Sequence, residues 1–360
     1  MWYFVGAVSV LRSLWEPLYA RRRLLIRLAI SGSLVGFLVW RVNIAEALKT
    51  LTHVNYVYAL PALAVFSLAK LIFAVRWRVM LGRLGQPPVS TLFGTLLVSN
   101  MANNVLPLRL GDVLRVQVPA QRHGISRPGL ASSVFVTETL LDGVTFAVLA
   151  LVGITLLNVP STLNDFAWAM IGAVGTGLLL AVFGAHMSLP AGWRPGRWLG
   201  WLPQRARGAM VDILPPFVEG LAALRHPSMG SRVLALSFTG WLLEVLMFWL
   251  LGLGFGLDLS LGSYLMIVIT ANMVIALPLA PSNVGPYEVA VAEVVAALGV
   301  TRSLAGGYAI ATHLLNILWV SFTGVIAMWL LGLRFQDIFY LRAQATPPLP
   351  GPQDSLERTA

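Results

Sequence analysis

Apolar residues run in long segments separated by short clusters of arginine. This pattern predicts helices that cross a lipid bilayer rather than the one-sided stripes of soluble helices. Residues 24–40, 56–80, 166–187, 232–253 and 304–333 are five such segments. Residues 128–158 make a sixth, opened by Ser126 as an N-cap with Pro128 in its first turn. Two further segments are interrupted. Residues 89–106 are apolar and stop at Leu106-Pro107. Residues 261–279 close on Pro278, with Pro281 and Pro286 just beyond and a short apolar helix at 289–298. The expected fold is an all-α polytopic membrane bundle of about six full spans plus two proline-broken re-entrant segments.

The rest of the chain fits around this bundle. Residues 1–19 predict an interfacial helix without a removable signal, and 43–54 a short amphipathic connection. Residues 188–231 predict a cytoplasmic amphipathic loop whose tryptophans, Trp193, Trp198 and Trp201, sit at headgroup level among arginines. Residues 1–342 form one membrane domain, and 343–360 a disordered, proline-rich tail.

The two interrupted segments repeat each other. Asn272-Met273 echoes Asn100-Met101, Leu277-Pro278 echoes Leu106-Pro107, and Gly285 with nearby Glu288 echoes Gly111-Asp112. The sequence 299–302 then echoes 124–127 and Leu304-Ala305 echoes Leu130-Ala131, and this last pairing, carried on without another gap, sets His313 against Thr139 and Asn316 against Asp142. The order and spacing imply a duplication, with repeat one at about 89–158 and repeat two at about 261–333.

Composition agrees with a membrane bundle: 57% of the 360 residues are apolar and 11% charged. The net charge of +10 would suggest nucleic acid in a soluble protein; here it fits loops facing anionic lipid, and no nucleic-acid partner is expected. The chain contains no cysteine, which rules out disulfides and thiolate metal sites. With the N-terminus cytoplasmic, Arg21, Arg22, Arg23, Arg76, Arg78, Arg83, Arg122, Arg127, the 194–225 arginines and Arg334 fall inside. Only Arg41, Lys49 and Arg302 remain outside, so both termini are expected in the cytoplasm. This threading makes the two broken segments enter from opposite faces as inverted repeats.

Irregular backbone at membrane depth requires a cavity or protein around it, so residues 106–111 and 278–285 are expected to line one shared polar cavity near mid-membrane. Half-helix N-termini there would offer N–H groups to a lipid phosphate. Arg109 and Arg115 either add charge to such a site or face cytoplasmic headgroups. Glu138 and Asp142 lie on one helix face inside an apolar segment, where a charge needs a partner. Glu138 reads as a headgroup contact or proton carrier, and Asp142 as a tie to Arg109, Arg115 or Lys70. Glu288 is the counterpart acid in repeat two. Lys70 and Glu244 read as lone intramembrane charges, each expected to have a partner and a structural role, and His313 as a satisfied core histidine.

These residues resemble the transmembrane region of lysylphosphatidylglycerol synthases and the flippase-like membrane proteins built on it. The family pattern of Asn, Leu-Pro, a basic residue, Gly-acid and Arg is matched by Asn104, Leu106-Pro107, Arg109, Gly111-Asp112 and Arg115, with Asp112 where Glu is usual. A Glu-Arg pair followed by Asp is matched by Glu138 and Asp142, with Thr139 in place of the arginine. A second signature is matched by Pro281, Gly285 and Glu288. The resemblance covers roughly residues 20–335. It implies a bundle that moves or holds a lipid headgroup. Lysyl-transferring members carry a soluble catalytic domain after the membrane part, for which this chain leaves no room, and some relatives are associated with lipid-linked sugars or hopanoid synthesis.

The expected function is therefore a translocator or binder of a lipid or lipid-linked headgroup in a bacterial-type inner membrane. No ATP-binding motif is present, so movement would be facilitated or ion-coupled. No HExxH, GxSxG or Asp-rich phosphotransferase box occurs, and the chain is expected not to be an enzyme and to need no cofactor or metal. One alternative is a non-transporting partner of a membrane glycosyltransferase or lipid synthase, docked through residues 193–225. Another is a lipid-modifying enzyme with unfamiliar motifs.

Overall fold

The computed structural model of the chain describes residues 49–106, 109–156, 168, 172, 175, 176, 227–276 and 280–334. The expected elements at 1–19, 24–40, 166–187 and 193–225, the tail, and Pro107 and Pro278 themselves lie outside these residues. Nine α-helices, and no strand, are found among the described residues. Helix α1 (Ala59–Leu81) follows a 3-10 turn, Tyr56–Tyr58, whose opening Asn55 Oδ1 accepts from the Val57 N–H at 3.2 Å. Next come α2 (Val89–Val105), α3 (Asp112–His123) and α4 (Arg127–Ser132). A π-helical turn, Ser133–Glu138, joins α4 to α5 (Thr139–Leu156). Then follow α6 (Pro227–Gly254), α7 (Leu261–Ala276), a 3-10 turn Pro281–Asn283, α8 (Pro286–Ala297) and α9 (Arg302–Leu330).

Four helical stretches among the described residues are long and apolar enough to cross a membrane: Tyr56–Leu81, Arg127–Gly153, Ser228–Gly254 and Arg302–Leu330. Their exposed faces are apolar. On α9, Leu314, Leu318, Phe322, Val325 and Trp329 recur every three or four residues as one exposed stripe. Arg76, Asp112, Arg115, Glu244 and Glu288 are buried instead. Apolar outside and charged inside is the arrangement lipid demands, and the chain is an integral membrane protein.

Both interruptions are real breaks. Helix α2 ends at Val105 and α3 begins at Asp112. Helix α7 ends at Ala276 and α8 begins at Pro286. The stretch at 108–124, too charged for lipid, is the short α3, which folds back against α2 and buries Leu114, Arg115 and Val118. Gly124, in the left-handed region at φ 65°, ends it. Ser126 does stand at the N-cap of α4, but its hydroxyl makes no capping bond; the Leu130 N–H bonds to the Ser126 carbonyl instead.

Helix α1 runs along α6 in the centre of the bundle, and α2 packs on α9, which also carries α8. Ala62, Phe66, Ala69 and Phe73 of α1 and Trp241, Val245 and Phe248 of α6 belong to one core. Lipid tails are as apolar as these side chains, so the packing is held by close contact and polar ties. Two such ties cross the centre. Lys70 Nζ of α1 lies 2.6 Å from Glu244 Oε1 of α6, and Trp319 Nε1–H of α9 donates to Ser67 Oγ of α1 at 2.9 Å.

Candidate functional site

Arg76, Arg115, Glu138 and Asp142 meet in one network between α1, α3, α5 and α6. Arg76 is 1% exposed. Its Nη2 donates to Glu138 Oε1 at 3.0 Å and to Asp142 Oδ2 at 3.3 Å, and its Nη1 donates to Ser237 Oγ at 2.9 Å. Arg76 and Asp142 form a second, closer contact, and Arg115 of α3 pairs with the other oxygen of Glu138. Trp241 Nε1–H of α6 donates to Asp142 Oδ1 at 2.8 Å. Glu138 is thus gripped by two guanidinium groups and Asp142 by one guanidinium and an indole. Phe73 and Trp77 back the arginines, with each guanidinium carbon 4.8 Å from a ring centroid.

Local structure puts the acids there. Glu138 ends the π-helical turn and Asp142 follows one α-turn later. The wider turn shifts the phase of the helix, so the buried face that runs from Leu130 into the turn at Val134 connects to the face bearing Glu138, Leu141, Asp142 and Thr145. Thr139, where the family pattern has arginine, points away and bonds its own helix at the Phe135 carbonyl, 3.0 Å away.

The first break begins where Asn104 Nδ2 donates to the Ile317 carbonyl and Ser321 Oγ of α9, each at 3.4 Å. Arg109 stands in the left-handed region, φ 56°. Its Nε lies 3.1 Å from Asp112 Oδ2, while Asp112 Oδ1 accepts from Ser99 Oγ at 3.3 Å and Asn103 Nδ2 at 3.0 Å. Gly111 is required by closeness. A Cβ there would overlap the Ser99 carbonyl and the Asn103 side chain.

At the second break, Ser282 and Asn283 have positive φ, 47° and 53°, and Gly285 stands at φ 95°. Glu288 Oε2 accepts from the Gly285 N–H at 2.7 Å, and Glu288 Oε1 lies 2.6 Å from His313 Nδ1 of α9. The His313 ring stacks on Tyr287, with centroids 4.1 Å apart. The two breaks touch, since Ser282 Oγ–H donates to the Asn104 carbonyl at 2.5 Å.

A cavity of about 240 Å³ opens where they touch. Arg109, Arg115, Glu138 and Asp142 line one part of it, and Asn104, Ser282, Asn283 and His313 another. Of the residues predicted for the site, Asn104, Arg109, Arg115, Glu138 and Asp142 line this cavity. Gly111, Asp112, Gly285 and Glu288 support it from behind. Pro107 is not described, and for Pro281 the backbone turn alone is.

Three sequence readings change. Arg76 was expected as a cytoplasmic flank with Arg78 and Arg83; it is a buried hub. The signal was present, because Arg76 continues the stripe Ala62, Phe66, Ala69, Phe73 and Met80 that faces the core, whereas Arg78 lies off it. Lys70 does not reach Asp142, since Glu244 holds it. The N-terminus of α8, expected to present N–H groups to a phosphate, carries the chain's own Glu288 carboxylate, which accepts from the Gly285 N–H and offsets the dipole. Four buried polar atoms at or beside the cavity have no hydrogen-bond partner among the described residues: Arg76 Nε, Arg115 Nε, Asn103 Oδ1 and Asn283 Oδ1. No group of three His, Cys, Asp or Glu among the described residues is placed to hold a metal ion.

Comparison with known proteins places this geometry in context. The chain is 26% identical over 344 residues to "Glycosyltransferase AglD" of Haloferax volcanii, a match covering 85% of this chain and 54% of that protein. The chain thus spans about half the length of that relative. It is 25% identical over 276 residues to a "UPF0104 membrane protein" of Methanothermobacter thermautotrophicus, covering 70% of this chain and 77% of that one. No solved structure matches. The first match corrects the expectation that the chain is not an enzyme. Missing short motifs do not carry that conclusion when a relative over most of the chain is named a glycosyltransferase, because active-site groups drawn from several helices leave no local signature. The model of the lysylphosphatidylglycerol synthase TM region matches residues 24–324, and with the buried acids and both breaks falling inside that span, the chain belongs to this family.

Proposed function

We propose that the protein binds the polar headgroup of a membrane lipid or lipid-linked compound in the central cavity and carries it between leaflets. The observation that supports this reading is the meeting of two helix breaks around a polar cavity inside a bundle whose outer face is apolar. A charge network buried in lipid is costly, and such networks mark paths for polar cargo. The broken segments act as inverted repeats entering from opposite faces, with both termini cytoplasmic, so that alternate tilting of the repeats exposes the cavity to each side in turn. The sequence contains no ATP-binding motif, so movement follows a gradient or a coupled ion.

The test is reconstitution into liposomes with labelled phospholipids, glycolipids and polyprenyl phosphates, read as movement between leaflets. A rate above protein-free vesicles for one class supports the reading, and protein-free rates for all classes reject it. Mass spectrometry of lipid retained in mild detergent would identify the cargo.

A second reading is favoured by the name of the first relative. In it the same cavity holds the lipid-linked participant of a glycosyl transfer, performed by this protein or by a membrane partner. Transfer of labelled sugar onto lipid by the purified protein, or only after a captured enzyme is added, would separate these cases from translocation.

A further inference from the structure

The polar wall of the cavity is dominated by asparagine. Asn100, Asn103, Asn104, Asn272, Asn283 and Asn316 all line it, while the chain has elsewhere only Asn43, Asn55, Asn158 and Asn164. These six come from α2, α7, the second break and α9, so the fold gathers them from distant sequence. Several of them retain unused capacity. Asn100 and Asn316 make no side-chain hydrogen bond among the described residues. Asn283 spends its Nδ2 on the Ile275 carbonyl at 3.2 Å, and its Oδ1, on a residue 8% exposed, has no partner. His313 faces the same space. Its Nδ1 is held by Glu288, which leaves Nε2 with no hydrogen bond among the described residues.

The cations on the same wall are already engaged. Arg76 holds Glu138 and Asp142, Arg115 holds Glu138, Lys70 holds Glu244 and Arg109 holds Asp112. A bare phosphate offers acceptors only, and it would add uncompensated negative charge to a wall whose cations are already balanced by Glu138, Asp142, Glu244 and Asp112. Amides differ from guanidinium and ammonium groups in that they both donate and accept. A hydroxyl also does both, so a wall of free amides with one imidazole nitrogen matches clustered hydroxyls.

We infer that the cavity takes a hydroxyl-rich headgroup, a sugar or a polyol, held by Asn100, Asn283, Asn316 and His313 Nε2, with the charge network serving as its rigid, self-neutralised floor. The inference rests on the headgroup reading above and narrows it. Asn100 and Asn316 recognise cargo and stabilise little, because they have no internal hydrogen bonds to lose.

The experiment uses the full chain in liposomes with three acyl-labelled lipids sharing the same tails: glucosyl diacylglycerol, phosphatidylglycerol and phosphatidic acid. The first presents a sugar, the second a glycerol beyond its phosphate, and the third a bare phosphate. The sugar lipid or the glycerol lipid is expected to move at least about tenfold faster than phosphatidic acid, a discrimination within reach of a site built to bond hydroxyls. Whichever of the two moves faster identifies the source of the hydroxyls. Asn100→Leu and Asn316→Leu should each slow that lipid about tenfold with an unchanged unfolding temperature. The comparison of the three lipids on the unaltered chain stands even if a variant fails to fold. Phosphatidic acid moving as fast as the others, or leucine variants without effect, overturns this inference and leaves the headgroup reading intact. No lipid moving faster than in protein-free vesicles overturns this inference, and the headgroup reading falls with it when polyprenyl phosphates also stay at the protein-free rate.

Discussion

Between α2 and α3, the break leads to an acid that turns backwards: Asp112 is bonded to Ser99 and Asn103 of the preceding helix and paired with Arg109. Between α7 and α8, the break leads to an acid that turns forwards: Glu288 caps Gly285 and pairs with His313 of the following long helix. The sequence signal, a glycine and then an acid, is the same in both. The surroundings differ in charge. Repeat one carries Glu138 and Asp142 into the cavity wall. The pairing read in the sequence sets Asn316 of repeat two against Asp142, and the same offset sets Thr312 against Glu138. On the duplication read in the sequence, repeat one carries acids tied by arginines beside Asn100, Asn103 and Asn104, whereas repeat two contributes Asn272, Asn283, Asn316 and the His313–Glu288 pair. The acids of repeat one need mutual neutralisation to exist in lipid, while the amides of both repeats can leave hydrogen-bonding groups free for cargo.

If that division is right, damage to the two halves differs in size. Arg76→Ala is the largest predicted effect, since it strips Asp142 of its cation and leaves Glu138 with one. It should cost about 3–5 kcal/mol, the usual penalty for breaking a buried ion pair from one side, and thermal unfolding in detergent would read it. Gly111→Ala comes next at about 1–3 kcal/mol, because its Cβ meets the fixed Ser99 carbonyl rather than a movable side-chain end.

Changes to the acids sharpen the comparison on activity. Glu138→Gln should slow headgroup movement by about tenfold, as expected from weakening one charged hydrogen bond. Glu244→Gln should have a smaller effect, because Glu244 engages Lys70 alone. Equal losses would erase the distinction between the arginine network and the Lys70–Glu244 pair, which lines the same cavity. The smallest effect is expected from Glu288→Gln. The amide oxygen can still accept one bond, and the cost should be near 0.5–1.5 kcal/mol by thermal unfolding, the range of one ordinary hydrogen bond. A loss as large as that of Arg76→Ala would show that the second half depends on charge as much as the first.

The places where the chain breaks were legible in the sequence, and the groups that meet there were not. Pro107, Pro278 and the glycines announce interruptions because they act on their own backbone, and the helices fall within a few residues of the apolar segments. Glu138 and Asp142 were legible as a buried pair because one helix carries both. Their partner Arg76 was hidden by its neighbours Arg78 and Arg83, which make the run look like a solvated flank. Lys70 and Glu244 stand 174 positions apart, and nothing local joins them. The asparagine wall was invisible for the same reason. On α2, α7 and α9 each asparagine looks like an isolated polar residue, and only the packing of α2 on α9, with the second break against the end of α2, brings them to one surface.

The most direct test of the central claim, that the two breaks meet and form one transport cavity, uses the absence of cysteine from the chain. Asn104→Cys and Ser282→Cys introduced together place two thiols on residues in direct contact, since the Ser282 hydroxyl bonds the Asn104 backbone carbonyl. Oxidation or a short thiol cross-linker should join them in nearly every molecule, stop headgroup movement in liposomes, and release it again on reduction of the disulfide form. Thiols that do not cross-link, or a cross-linked protein that moves lipid at the full rate, would contradict the account.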